Sequence, residues 1–139
     1  MAVFTTESQG QREREGEEKY PCTSSIIAAA IAVHRELGPG LLESAYEQCL
    51  CHELHLREIT FERQIDLPVA YKGLKLECGY KLDLIVGGEV VVELKSIERI
   101  LPVHETQLLT CMKISRKSVG LLINFNVPLP MRGIIRRVL

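Results

Sequence analysis

The segment from residue 79 to residue 95 places the strongest constraint on how this chain can fold. Two apolar runs, residues 82–86 and 90–94, flank the glycine pair Gly87-Gly88. Branched apolar residues on both sides of a glycine pair are typical of a β-hairpin. Both runs also carry charged residues, which are costly to bury without a partner or a metal ion. The segment therefore predicts a hairpin in the body of a sheet, with a polar site built into it.

The remaining hydrophobic pattern predicts helices and strands in the order α-α-β-β-β-α-β-β. The predicted helices span about residues 24–37, 41–57 and 103–115, and the predicted strands span residues 59–71 with a break at Pro68, 74–86, 89–95, 118–124 and 133–138. Tight turns, including one at Lys72-Gly73, would make the first three strands antiparallel. A helical crossover would then bring the next strand in parallel. The predicted fold class is α/β, a central mixed sheet flanked by helices.

Length and composition indicate one ordinary globular domain. The chain has 139 residues, which suits a single core. We expect a flexible N-terminal tail over residues 1–22 and one domain over residues 23–139. No apolar run is long enough to span a membrane, so no membrane partner is expected. The five cysteines are odd in number and include no CxxC pair, which favours reduced thiols in a cytoplasmic protein.

The charge of the chain is unevenly distributed. Residues 106–139 contain no acid and six basic residues, so this segment carries +6 and the rest carries −7, which gives the net −1. A basic face beside an acidic one suits a protein that grips phosphates. A solvated helix end followed by a C-terminal tail would give the same pattern. Charge alone leaves the two interpretations open.

The charged residues of the hairpin segment suggest a chemistry. Along the strand that follows the glycine pair, Glu93 and Lys95 share one face, and Asp83 lies between two leucines on the preceding strand. Two carboxylates can bind Mg²⁺ or Mn²⁺, which prefer oxygen ligands. A lysine beside them can orient a water molecule or neutralise charge in a transition state. An exposed sheet face with a cross-strand ion pair would also explain these residues.

The register of the hairpin discriminates between these interpretations. A two-residue turn at Gly87-Gly88 would pair Asp83 with Val92 and leave the carboxylates on opposite faces. A three-residue connection that includes Glu89, with a glycine bulge, would place Asp83 opposite Glu93. The metal-site hypothesis therefore predicts the three-residue connection, or a bulge nearby.

Several motifs resemble one known family. The run Gly40-Leu41-Leu42-Glu43-Ser44-Ala45-Tyr46 is similar to the motif that names the GxxExxY protein family of the PD-(D/E)XK nuclease superfamily. The resemblance extends from about residue 26 to the C-terminus and includes Gly79-Tyr80-Lys81-Leu82-Asp83, Val92-Glu93-Leu94-Lys95, His104-Glu105-Thr106-Gln107 and Gly120-Leu121-Leu122-Ile123-Asn124-Phe125. Leu82 stands at the proline position of the superfamily motif, and Cys111 stands where related sequences often carry tyrosine.

The resemblance implies a restriction-endonuclease-like core and a set of roles. It assigns Asp83, Glu93 and Lys95 to the catalytic centre, with Asp83 and Glu93 as metal ligands. Glu43 would be an additional acid that reaches this metal or a second one. Gln107 would help to hold the substrate or the catalytic lysine. The stripe of Glu43 with apolar residues further predicts that Glu43 lies on a partly buried helix face.

Three functions follow, from different classes. The first is a Mg²⁺-dependent (or Mn²⁺-dependent) nuclease that cuts DNA, with RNA as the second choice of substrate. The second is a catalytically weak or inactive module of the same fold that binds nucleic acid or a protein partner. The third is a structural homodimer, or part of a larger complex, joined through the edge strand predicted at residues 133–138. Tyr46 is expected to be a core aromatic, and His104 to pack at a helix start.

Overall fold

The computed structural model describes residues 22–76 and 79–139, and these residues form a five-stranded mixed sheet between helices. The helices are α1 (Cys22–Leu37), α2 (Glu43–Leu56) and α3 (Pro102–Ser115), with a short 3-10 helix at Pro130–Gly133. The strands are β1 (Phe61–Asp66), β2 (Ala70–Tyr71), β3 (Leu74–Lys75), β4 (Lys81–Val86), β5 (Val90–Lys95), β6 (Val119–Asn124) and β7 (Ile134–Val138). The predicted flexible tail lies outside the described residues, apart from Cys22.

The sheet has the strand order β1-β4-β5-β6-β7. Strands β1, β4 and β5 are antiparallel neighbours, β6 is parallel to β5, and β7 is antiparallel to β6 at the edge. Helix α3 provides the crossover between the two parallel strands, as the sequence predicts. No helix in the described part of the chain is long and apolar enough to cross a membrane.

The two faces of the sheet are covered by separate apolar clusters. Helices α1 and α2 pack on one face, where the buried β5 side chains are Val90, Val92 and Leu94. Helix α3 packs on the other face, where Leu108 and Met112 meet Val91 of β5. Because strand side chains alternate between faces, Glu93 and Lys95 belong to the face of α3. The apolar residues of β5 therefore pack into both clusters, and its two charged residues lie on the same face as Val91.

The loop between α1 and α2 is fixed by one buried ring. Tyr46 is fully buried and stacks on Phe125 with ring centroids 4.5 Å apart. Its hydroxyl donates to the carbonyl of Gly38 at 2.5 Å and accepts from the N–H of Leu41 at 3.2 Å. The expectation of a core aromatic with a satisfied hydroxyl is confirmed. Its effect is to fix the chain just before Glu43, which begins α2.

The regular alternation of side chains breaks at one place in β1 and β4. Ladder pairs run from Phe61↔Val86 to Arg63↔Leu84 and resume at Ile65↔Leu82, so Gln64 and Asp83 face each other between them. Gln64 has a left-handed backbone with φ of 52°, which is unusual for a residue with a side chain. Leu82 and Leu84 consequently enter opposite clusters, although residues two apart on a regular strand share a face.

One sequence prediction needs correction here. Residues 74–86 were expected to form a single extended stretch, but the chain forms β3 and β4 separately. Strands β2 and β3 make a small two-stranded sheet of their own around Lys72 and Gly73. Both residues of this turn have positive φ angles, 46° and 85°, as a two-residue hairpin requires. The turn at Lys72-Gly73 is thus confirmed, while the strand beyond it ends early and leaves the main sheet.

Candidate active site

The connection between β4 and β5 has three residues. The last pair before it is Val86↔Val90, and the same register includes Ile85↔Val91 and Leu84↔Val92. Gly87 and Gly88 both take positive φ angles, 61° and 69°, which glycine adopts at no steric cost. One further step in this register places Asp83 opposite Glu93. The predicted three-residue connection is confirmed.

The two carboxylates are held by the backbone of the opposite strand. The N–H of Leu94 donates to Oδ2 of Asp83 at 2.8 Å, and the N–H of Asp83 donates to Oε1 of Glu93 at 3.2 Å. Backbone N–H groups in these positions would otherwise bond to a carbonyl of the neighbouring strand. Two acidic side chains thus take over ladder hydrogen bonds at the point where β4 and β5 stop pairing. Among residues 22–76 and 79–139, no salt bridge joins either carboxylate to a base, and these backbone bonds fix the two relative to each other.

The environment strongly disfavours ionisation of this pair. Burial, together with repulsion from Asp83, raises the pKa of Glu93 to about 8. Burial also raises the pKa of Asp83, against the opposing effect of the Leu94 N–H. Lys95 lowers the pKa of both carboxyls, since its ammonium is near enough to favour their ionised forms. A further positive charge is needed to hold both acids ionised at neutral pH.

Glu43 reaches the same site from the first turn of α2. Its pKa is raised, mainly by desolvation and then by repulsion from Asp83, and is lowered by Lys95. Glu43 is exposed, so the expectation of a partly buried face is wrong. The reason is its position at the start of the helix: Tyr46, Leu50 and Leu54 are buried below it, and the packed stripe ends before Glu43.

An open cleft of about 490 Å³ joins Glu43 to Asp83. A second α2 carboxylate, Glu47, and the left-handed Gln64 also line it. The full lining is Leu42, Glu43, Ser44, Glu47, Gln64 and Asp83. Three acidic side chains along one cleft offer the oxygen donors that a divalent cation prefers.

Glu47 is a residue of this cleft that the sequence analysis missed. It is buried, its Oε2 accepts from Nη2 of Arg63 at 2.7 Å, and its Oε1 accepts from Nε2 of Gln64 at 2.7 Å. Glu47 thus contacts the side chain of Gln64, the residue opposite Asp83 that has the left-handed backbone. The i, i+4 spacing from Glu43 was the available signal, because it places both acids on the same side of α2.

The residues of α3 that the sequence analysis singled out differ in their exposure and contacts. Gln107 is exposed, and its role in holding substrate or Lys95 stays a prediction. His104 accepts a hydrogen bond at Nδ1 from the N–H of Leu101 at 2.8 Å, which confirms its expected place at the helix start. Cys111 is buried, and burial followed by repulsion from Glu93 raises its pKa to about 11. The free cysteines of the described residues are Cys22, Cys49, Cys51 and Cys111.

Two of the six basic residues of the C-terminal segment have partners within the fold. Lys117 donates to the carbonyl of Gly88 at 2.8 Å, at the end of β5 opposite to Glu93. Arg137 forms an ion pair with Glu105 of α3. The interpretation as a basic helix end fits Lys117, which follows α3. The ion pair with Glu105 offsets the charge of Arg137.

The comparison with known families agrees with this geometry. A family model described as the PD-(D/E)XK nuclease superfamily matches residues 20–138. The chain belongs to the PD-(D/E)XK nuclease superfamily. The five-stranded mixed sheet flanked by helices is consistent with the nuclease core of that superfamily. No curated protein and no solved structure matches the chain significantly.

The residues present fit a divalent cation by their chemistry. Asp83 and Glu93 offer hard oxygen donors, and burial raises the pKa of each, so a bound cation would favour the ionised forms that burial opposes. Within residues 22–76 and 79–139, no three His, Cys, Asp or Glu side chains are arranged as ligands of a single ion. The set of three predicted ligands, Asp83, Glu93 and Glu43, therefore stays a prediction, with Asp83 and Glu93 as its geometrically supported pair.

Proposed function

We propose that this protein is a metal-dependent nuclease that hydrolyses phosphodiester bonds in DNA. The observation that carries the proposal is the Asp83–Glu93 pair, held by backbone N–H groups beside Lys95 at the point where β4 and β5 separate. The superfamily match supports the reaction class. Ordinary exposed ion pairs on a sheet face do not explain carboxyls whose pKa values burial has raised.

Each residue has a role that its position supports. Asp83 and Glu93 would hold Mg²⁺ or Mn²⁺, and Glu43 would add a ligand or bind a second ion across the cleft. Such a cation, when bound, supplies Lewis acidity toward the phosphate and lowers the pKa of a bound water. Lys95 would orient the attacking water or offset charge on the phosphate oxygens in the transition state. Gln107 would contact substrate or Lys95 from α3.

The finer assignments rest on sequence motifs. The run from Gly40 to Tyr46 supports membership of the GxxExxY family, and its tyrosine and glutamate have distinct positions here: Tyr46 in the core and Glu43 at the cleft. DNA is proposed ahead of RNA on the same resemblance. A cytoplasmic location is proposed from the cysteine content, and a homodimer or larger complex stays a prediction.

Cleavage assays on purified protein test this proposal. Labelled single- and double-stranded DNA and RNA are incubated with Mg²⁺, with Mn²⁺ or with a chelator. We expect cutting of DNA that requires the metal and that falls by about a hundredfold or more in Lys95→Ala, since a lost transition-state interaction of about 3 kcal/mol has that effect.

The matched control is Lys113→Ala, which removes an exposed lysine from α3 without touching the cleft. It should cut as the wild type does. A folded wild-type protein that cuts no substrate with either metal would contradict the nuclease proposal. It would leave the binding module as the better account of the fold.

A further inference from the structure

The β2–β3 hairpin is the described part of the sheet structure that packs least against the rest. Every residue from Ala70 to Leu76 is exposed, and none of them belongs to either apolar cluster. A two-stranded hairpin is marginally stable at best by itself. The hairpin therefore contributes little to the core, and its exposed side chains need another explanation.

The hairpin leaves the sheet at the end that carries the carboxylates. The β1–β4 ladder reaches Asp66↔Lys81 and continues with a hydrogen bond from the N–H of Leu67 to the carbonyl of Tyr80 at 2.7 Å. Tyr80 is three residues from Asp83, which is about 10 Å along an extended strand. A nucleic-acid strand bound across the hairpin would therefore pass within a few nucleotides of the proposed catalytic pair.

The exposed residues of the hairpin are aromatic and basic. Tyr71 is 62% exposed and lies opposite Leu74, which is 60% exposed, so the two side chains form one open apolar face. Tyr80 is 53% exposed. The ammonium of Lys72 lies 5.3 Å from the centre of the Tyr71 ring. Exposed rings with adjacent cations are the combination that binds unpaired bases and their phosphates.

The charge of this segment is opposite to that of the cleft. Residues 69–81 contain Lys72, Lys75 and Lys81 against the single acid Glu77, a net +2 in a chain of net −1. Lys81 lies 3.7 Å from Asp66, which offsets its charge, whereas residues 70–76 of the hairpin contain Lys72 and Lys75 and no acid. The acidic cleft suits a cation, whereas the hairpin offers the positive charge that a polyanion needs nearby.

We propose that the β2–β3 hairpin, together with Tyr80, is a binding surface for a single-stranded segment of nucleic acid. Unpaired bases stack on Tyr71 and Tyr80, and the lysines contact the phosphates. A duplex keeps its bases stacked inside the helix, so it would leave the rings without a partner. The proposal deepens the proposed nuclease function and rests on it for the direction in which the strand runs, toward Asp83.

Binding without cleavage tests the surface apart from the catalytic centre. The anisotropy of a short labelled DNA strand is measured in EDTA, for the strand alone and for the same strand in a duplex. We expect tighter binding of the single strand, and about tenfold weaker binding in Tyr71→Ala and in Tyr80→Ala. Tyr71→Phe should bind as the wild type does, because it keeps the ring. In Lys72→Ala the logarithmic salt dependence should fall by about 0.7.

Leu56→Ala is the matched control, since Leu56 is also 62% exposed but lies at the end of α2. It should leave binding unchanged, and thermal melting should show that all variants are folded. Equal binding by wild type and both Tyr→Ala variants would overturn the proposal. So would equally weak binding by Tyr71→Phe and Tyr71→Ala, or a preference for the duplex, or no binding of the single strand.

The two proposals fail in different ways. A wild-type protein that binds the single strand through its tyrosines but cuts nothing would retain the hairpin surface and reject the nuclease. A wild-type protein that cuts DNA while Tyr71→Ala and Tyr80→Ala bind and cut normally would retain the nuclease and reject the hairpin surface.

Discussion

The two ends of β5 differ in a way that explains the site. At the inner end, Val90, Val91 and Val92 are fully buried and pair with β4 on one side and β6 on the other. At the outer end, pairing with β6 continues as far as Lys95↔Asn124. On the β4 side, the ladder reaches only Leu84↔Val92. The first half of β5 therefore pairs with strands on both sides, whereas its second half pairs only with β6.

The end of the β4–β5 ladder explains how this fold holds two acids in a partly buried place. Where β4 and β5 stop pairing, the N–H groups of Leu94 and Asp83 would lack acceptors, and buried N–H groups without acceptors are costly. The carboxylates of Asp83 and Glu93 supply those acceptors. The backbone thus stabilises the ionised acids in part, while burial and mutual repulsion act against ionisation.

The largest expected effect is on the cleavage rate, and it distinguishes the catalytic end of β5 from its buried end. Asp83→Asn should lower the cleavage rate by about a hundredfold or more, because the amide is a poor metal ligand. It should not lower the melting temperature of the metal-free protein, because it removes a repulsive buried charge. Val92→Ala should do the reverse: it should lower the free energy of unfolding by about 1–3 kcal/mol through loss of packing.

Chemical denaturation and initial cleavage rates, both corrected for the folded fraction, measure this contrast. A Val92→Ala protein that is folded but as inactive as Asp83→Asn would show that the two ends of β5 are not independent. The catalytic site would then extend along the strand as far as Val92.

A smaller effect is expected at the break in alternation opposite Asp83. Gln64→Gly should lower the cleavage rate by about tenfold, because Asp83 loses the neighbour that Glu47 positions. The melting temperature should change little, since relief of the left-handed strain offsets the lost hydrogen bond. The bond that disappears is the 2.7 Å contact from Nε2 of Gln64 to Glu47.

Glu62→Gly is the matched control on the regular part of β1, where Glu62 is exposed and pairs with Ile85. It should lower the melting temperature slightly and leave the cleavage rate unchanged. If Gln64→Gly instead loses stability and keeps full activity, Gln64 is a packing residue and the break does not position Asp83.

The last contrast concerns the pH dependence of stability in the metal-free protein, where no effect on the cleavage rate is involved. Burial raises the pKa of Glu93 to about 8, from an unfolded value of about 4.3. A raised carboxyl pKa means that the folded state keeps its proton while the unfolded state ionises. Stability is therefore greatest below the unfolded value and is lost as the pH rises from about 4 to about 8. Metal-free wild type should melt several degrees lower at the upper end of this range, relative to Glu93→Gln.

Added Mg²⁺ should restore the melting temperature at high pH and have little effect at low pH, because metal and proton compete for the same oxygens. Thermal scans across pH, with and without Mg²⁺, measure this. A melting temperature that responds equally to Mg²⁺ in wild type and in Glu93→Gln would mean that the ion binds elsewhere.

The sequence predicted most of the fold because most of it depends on local pattern. The helix over residues 22–37 ends at Gly38, and the crossover through α3 and the parallel β5–β6 pair follow from spacing and connection lengths. The hairpin register was predicted from the requirement that two acids share a metal. The separate β2–β3 sheet was missed, since an uninterrupted polar-apolar pattern does not reveal where a strand leaves its sheet.

The residues available for the chemistry, and the strands that carry them, follow from the local pattern of the chain: Asp83 on one strand, Glu93 and Lys95 on the next. The surroundings of these residues depend on how the chain folds. The left-handed Gln64, the buried Glu47 that bonds to it and the end of the β4–β5 ladder all arise from contacts between residues distant along the chain. Backbone strain and burial depend on such contacts and not on the adjacent residues in the sequence. For that reason the acids could be named from the sequence, while their protonation and positioning required the fold.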